Sequence, residues 1–268
     1  MSYSRLTVRQ TVELEGLGLH SGDPVRVLVH PGQDGIAFRV GASRWAAIPE
    51  NVSDTTRCTR LGEVATIEHM MSALAGLEIT DAEIEVHGGE MPALDGSALG
   101  IVEGLASVGF ETIGEAEAHP PFKRIFFQEE KMKIAIGKGE GHWKYTYDLD
   151  ERWPHEQTFE CFNVVLEYRK EIAPARTFGL AEEIPALVQA GLAKGLDMDK
   201  ALILGIEGYK NEPRFPDEPA RHKLLDLMGD LYLSGIPVRF LNVAAERSGH
   251  TSNVHAAALL RQSASLAG

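Results

Sequence analysis

The sequence predicts an α+β protein of two units with related layout, each layering a sheet with helices, over residues 1–115 and 119–268. Three observations predict it. Short alternating strands lead to an amphipathic helix, and the same grammar then runs a second time. Between the two passes, residues 111–121 are acidic, end in Pro120-Pro121 and show no periodic apolar signal, so they read as the boundary. Finally, 268 residues at 44% hydrophobic and 24% charged are enough for one large or two ordinary domains with a real core.

Along the first pass, residues 6–14 and 24–30 alternate as half-buried strands, with Val25, Val27 and Val29 on one face. Between them, Gly16, Gly18 and Gly22 mark a tight loop where another group can come close, and His20 sits in it. Residues 35–40 and 45–48 read as short strands. Residues 66–77 read as a helix whose stripe is Ile67, Met70, Met71, Leu74 and Leu77. His69 lies nearly opposite that stripe among Ser72, Ala73 and Gly76, which predicts a second packed face with the imidazole in a crevice. Residues 82–86 are a strand, and 98–108 a helix with Asp95 or Ser97 at its cap. In the second pass, 123–128, 131–136 and 143–148 read as strands, 163–172 and 181–190 as helices, and 201–204 as a short strand. A long helix around 221–232, a strand over 238–245 and a helix over 251–262 complete it.

The composition excludes several classes. No run of about 18 apolar residues suggests a transmembrane helix, and the N-terminal stretch lacks an apolar signal core, so a cytoplasmic protein is expected. Cys58 and Cys161 alone cannot build a thiolate zinc module or a disulfide framework. A formal net charge of −13 argues against duplex nucleic acid as a partner. It leaves room for an anionic small substrate met by a local patch.

The chemistry centres on the long helix. At about 100° per residue, Leu224, Leu225, Leu227, Met228, Leu231 and Tyr232 share one face. His222, Asp226 and Asp230 fall opposite, stepped by four, with Lys223 at their edge. Gly229 lies on that polar side and leaves room for an approaching group. His and Asp at i, i+4 place an imidazole and a carboxylate over one point, as a divalent metal requires. A zinc hydrolase needs about three protein ligands and an open position. His69, His222 and Asp226 can supply them, and such a metal bridges the two units. Glu68, next to a ligand, can serve as general base on water that the metal polarises. His250 begins the last helix, where the helix N-terminus disfavours its charged form, so it needs a carboxylate, and Asp230 suits. Thr177 is by pattern only a hydroxyl in a loop.

Several strings together resemble one family. Thr66-Ile67-Glu68-His69 with Ser72-Ala73-Leu74-Ala75-Gly76-Leu77, Ala173-Pro174-Ala175-Arg176-Thr177-Phe178-Gly179, the run from Arg221-His222-Lys223 to Leu233, and Ser248-Gly249-His250 are similar to signatures of UDP-3-O-acyl-N-acetylglucosamine deacetylases. Gly16-Leu17-Gly18-Leu19-His20-Ser21-Gly22 and Leu94-Asp95-Gly96-Ser97 match in order, so the resemblance spans about residues 7–262. The resemblance implies two α+β domains with the active site in the cleft between them. It also implies Zn2+ as cofactor and hydrolysis of the N-acetyl group of an acylated UDP-amino-sugar in lipid A biosynthesis. It implies His69, His222 and Asp226 as metal ligands, and Glu68 as base. It further implies Thr177 and Lys223 as stabilisers of the oxyanion, and His250, held by Asp230, as the acid. His20, Cys58, Phe178 and Lys223 are implied at the substrate. No protein partner is expected, and the chain is expected to be a monomer.

The sequence departs from that family at the segment after Gly191-Leu192. There Lys194, Asp197, Asp199 and Lys200 stand in a less charged pattern, in the insert that shapes the acyl passage. Thr55-Thr56-Arg57-Cys58 is also more polar than usual near the passage mouth, and the chain is shorter than a typical member. A polar passage predicts weak discrimination between acyl lengths. It also keeps open a deacetylase of a short-acyl or non-acylated nucleotide-sugar, or a catalytically silent binding protein on the same fold.

Overall fold

The computed structural model describes residues 1–121 and 123–265. In the first half the elements are β1 (Ser2–Val8), β2 (Val12–Leu17), β3 (Pro24–Pro31), β4 (Ile36–Val40), β5 (Ser43–Ala46), β6 (Val52–Asp54), β7 (Arg60–Leu61), α1 (Glu68–Gly76), β8 (Ala82–His87), α2 (Leu99–Ser107) and β9 (Phe110–Glu117). The second half holds β10 (Ile125–Glu129), β11 (Met132–Lys138), β12 (Trp143–Asp148), β13 (Glu156–Cys161), α3 (Val164–Glu167), β14 (Phe178–Leu180), α4 (Ile184–Gln189), β15 (Leu202–Leu204), α5 (Glu218–Tyr232), β16 (Leu241–Glu246) and α6 (His250–Ser265).

The two halves repeat one topology without repeating a sequence. One five-stranded sheet runs β2-β3-β8-β4-β5 and the other β10-β11-β16-β12-β13. Counted within its own sheet, each order is first, second, fifth, third, fourth. In each, the fifth strand is antiparallel to the second and parallel to the third. Alternation explains the layering. In β3, Val25, Val27 and Val29 are buried while Arg26 is exposed. In β12, Trp143 and Tyr145 are buried and Lys144 is exposed.

Four expectations are corrected. Residues 6–14 are not one strand: β1 pairs with β9, whereas β2 joins the five-stranded sheet, with a break between them at residues 9–11. The stretch read as a featureless boundary carries β9 up to Glu117. Its outward residues are exposed, and β1 supplies its hydrogen bonds, so little apolar period is needed. The strand β13 has no counterpart in the sequence reading because only Phe159 and Cys161 in it face the core. The start of the strand expected over 238–245 is a 3-10 turn, Val238–Phe240. No helix among the described residues is long and apolar enough to cross a membrane.

The central helices decide where the site lies. Every residue of α1 is buried, so His69 does face a second packed surface. That surface is α5, whose polar side is as buried as its apolar one: His222, Asp226 and Asp230 are 4%, 3% and 1% exposed. Gly229 permits the approach. A Cβ there would lie 2.0 Å from the Glu68 carbonyl oxygen and 3.0 Å from Ser72 N. Gly229→Ala is therefore expected to push α1 off α5, costing about 1–3 kcal/mol and lowering activity with it. Thermal denaturation of the variant checks this, and an unchanged Tm refutes it.

Candidate metal centre and active site

His222 and Asp226 project from consecutive turns of α5, and His69 projects from the first turn of α1. His222 Nε2 is 3.4 Å and His69 Nε2 3.8 Å from Asp226 Oδ1. All three donor atoms lie within 4.8 Å of one another, and among the described residues this is the one such group. A tetrahedral ion with bonds of about 2.0–2.1 Å spaces its donors by roughly 3.3 Å. Closing the set onto zinc thus needs shifts of under about 1 Å. The imidazoles cross nearly at right angles, with ring centroids 5.1 Å apart and an interplanar angle of 88°.

The donors are prepared for a cation. His222 Nδ1 donates to the Ala175 carbonyl at 3.0 Å, which leaves Nε2 as the free lone pair. Burial pushes both imidazoles down, His69 to about 3 with His222 beside it contributing, so both are neutral at neutral pH. Burial would push the Asp226 carboxyl up, but the Lys223 ammonium together with the neighbouring histidines outweighs it and holds it well below the usual range. Lys223 is held in its charged form by Asp226 against the same burial, donating to Asp226 Oδ2 at 2.8 Å. The carboxylate is thereby divided, with Oδ2 on the ammonium and Oδ1 toward the imidazoles. Two neutral imidazoles and one carboxylate, buried and without a thiolate, fit a catalytic zinc with an open position.

Glu68 and His250 stand beside that set. His250 Nε2 is 3.9 Å from Glu68 Oε1, and its Nδ1 is 3.0 Å from Asp230 Oδ2. Burial would push the His250 imidazole down. The Asp230 and Glu68 carboxylates outweigh it and hold its pKa up at about 9. Burial pushes the Glu68 carboxyl up, His250 opposes it, and Asp230 and Asp226 add to the rise. The sequence-derived partnership of Asp230 with His250 is thus present as a contact.

A cavity of about 410 Å³ joins these groups, with the candidate donors, Glu68 and His250 on its wall. Thr177, Lys223, Phe178 and His20 line it too. Thr177 is placed by a network around α5. Arg176, 5% exposed, pairs with Glu218 at 2.9 Å, and Thr177 N donates to Gly96 O at 2.7 Å. Phe178 meets the His222 ring edge-on at 5.9 Å. His20 is anchored by Glu90, which accepts from His20 N at 2.7 Å and from Ser21 N at 3.0 Å. At Gly18 a Cβ would lie 2.4 Å from that carboxylate, so the glycine-rich loop does make room for another group. The Cys58 thiol is buried, beside Thr66 and Glu68 of the cavity wall. Burial pushes it up to about 12, so it is not reactive at neutral pH.

A second cavity of about 350 Å³ shares His20, Thr177 and Phe178 with the first and extends under the insert. Ile184, Leu187, Leu196, Met198 and Ile203 make its wall. The expectation that charges in the insert make this passage polar does not hold. Of those charges only Asp197 reaches the wall, and Lys200 neutralises it at 2.8 Å.

Sequence reasoning missed several groups. Tyr147 and Leu149 line the first cavity, and Tyr147 meets Phe178 edge-on at 5.1 Å. Tyr147 sits in an ordinary alternating strand, and nothing local distinguishes it. Asn253, one turn into α6, donates to Asp230 Oδ2 at 3.0 Å. Its signal was its spacing of three from His250, which puts both on one helix face.

The chain matches the family described as UDP-3-O-acyl N-acetylglycosamine deacetylase over residues 5–262. It is 36% identical to the UDP-3-O-acyl-N-acetylglucosamine deacetylase of Trichormus variabilis, over 85% of this chain and 88% of that protein. It is 34% identical to the protein of the same name from Nitratidesulfovibrio vulgaris, over 98% of this chain and 89% of that protein. With the Nostoc sp. protein of that name the identity is 37%, over 85% and 88%.

Proposed function

The chain belongs to the UDP-3-O-acyl N-acetylglycosamine deacetylase family, and we propose that it hydrolyses the N-acetyl group of a UDP-3-O-acyl-N-acetylglucosamine, releasing acetate, in lipid A biosynthesis. The observation that supports this reading best is the base and acid pair, Glu68 Oε1 and His250 Nε2 at 3.9 Å, beside the His69, His222 and Asp226 donors. Those three residues would hold Zn2+, which supplies Lewis acidity to the amide carbonyl and to a water. Glu68 takes the proton of the water as its oxygen bonds to the acetyl carbon. Thr177 and Lys223 steady the charge that develops on the carbonyl oxygen. His250, kept charged by Asp230, gives its proton to the sugar nitrogen as the carbon–nitrogen bond breaks. His20 and Phe178 stand between the two cavities, where the sugar and the start of its acyl chain would pass. The enzyme is read as a cytoplasmic monomer of two units, residues 1–115 and 119–268, with the site in the cleft between them. Deacetylation of matched UDP-sugars with and without the acyl chain tests the reading. Equal turnover of both would favour a non-acylated substrate instead.

The apolar second cavity also supports a reversed prediction for chain length. Burying a methylene is worth about 0.8 kcal/mol, close to a fourfold change in equilibrium. The kcat/KM is expected to rise by about that factor per methylene until the cavity is filled, then to level off. Measurement over a series of acyl lengths at fixed sugar nucleotide checks it. A flat series would mean that the insert does not hold the chain.

A further inference from the structure

Thr59 lies outside the groups given a chemical role above, yet it touches both arms of the proposed acid–base pair. It is 0% exposed and immediately precedes β7. Its backbone N–H donates to Glu68 Oε2 at 3.0 Å. Its hydroxyl donates to Asp230 Oδ1 at 2.6 Å and lies 3.3 Å from His250 Nδ1. Its carbonyl accepts from Ile67 N at 3.1 Å, at the residue that caps α1.

These bonds make the oxygens of each carboxylate inequivalent. Glu68 Oε2 is engaged by Thr59 N–H, so Oε1, the oxygen nearer His250, is left for a proton. Asp230 Oδ1 is occupied by the Thr59 hydroxyl, so Oδ2 is kept for His250 Nδ1 and Asn253. Burial at 1% exposure means that no water can replace a lost donor on Asp230 without rearrangement. We propose that Thr59 is a positioning residue that holds the base and the acid in one register, its hydroxyl acting on His250 through Asp230. The inference rests on the roles proposed for Glu68 and His250.

The test compares Thr59→Val, which keeps the shape and removes the hydroxyl, with Thr59→Ser, which keeps the hydroxyl. Thr59→Val is expected to lower kcat by about 10- to 100-fold, the scale for groups that orient a functional side chain. KM and metal content should stay near the parent values, while Tm should fall by a few degrees because a buried carboxylate oxygen loses its donor. Thr59→Ser should restore kcat to within a few-fold of the parent. The deciding measurement is Thr59→Val in a His250→Ala background. If the hydroxyl works through His250, the further loss there should nearly vanish; a general packing defect would cost the same factor in both backgrounds. An unchanged kcat in Thr59→Val, an equal loss in both backgrounds, or a Thr59→Ser as damaged as Thr59→Val would each overturn the proposal. Should Thr59→Val not fold, Thr59→Ala carries the same expectations. If His250→Ala itself loses no activity, the reading of the acid has failed, and that result is distinct from a failure of Thr59 alone.

Discussion

Replacing His222 by alanine is expected to empty the metal centre. The parent chain should carry one tightly bound zinc, and the variant close to none, with deacetylation lost in proportion. The reason is donor count. Three side-chain donors lie together, and the described residues offer no other such group to take over. Losing a group that merely orients a ligand already costs about 10- to 100-fold in affinity, and losing the ligand itself should cost more. His222 also donates to the Ala175 carbonyl, so its removal costs the loop that leads to Thr177 one hydrogen bond. Metal analysis after dialysis, alongside circular dichroism to show that α5 is intact, reads the result. Full zinc occupancy in a folded His222→Ala protein would refute the assignment of the site.

Glu68→Ala and His250→Ala are expected to keep their zinc and lose about 10²- to 10⁴-fold in kcat each, the usual scale for a positioned base or acid. Their effects should differ with pH. A raised pKa on the acid means that its active, protonated form is present at lower pH and is lost as pH rises through the value of about 9 held by Asp230 and Glu68. The base works in its ionised form, so activity falls as pH drops through its own pKa, which burial moves upward. A bell-shaped profile follows, with limbs that belong to the coupled set rather than to single residues. His250→Ala should remove the basic limb from what activity remains. A basic limb that persists unchanged in that variant would show that His250 is not the acid.

Much of this protein is legible in its amino-acid sequence. The strand alternation and the helix stripes are local, and local periodicity survives in the fold because each face must match one core. The spacing of His222 and Asp226 by four already set both over one point of α5, and the small residues around His69 already implied a crowded second face. The repeated order of strands and helices gave two related halves, although no residue-level repeat announced that the two sheets share one strand order.

Local sequence thus sets which residue types stand on which face of which element. Long-range packing buries the polar face of α5 against α1 and shelters an apolar cavity beneath the charged insert. It alone brought Thr59 onto Asp230 across 171 residues of chain. The physical reason is range. Helical and strand periods are imposed by backbone geometry over a few residues. Burial of a charge, and the donor that satisfies it, depend on which distant segment arrives to exclude the water.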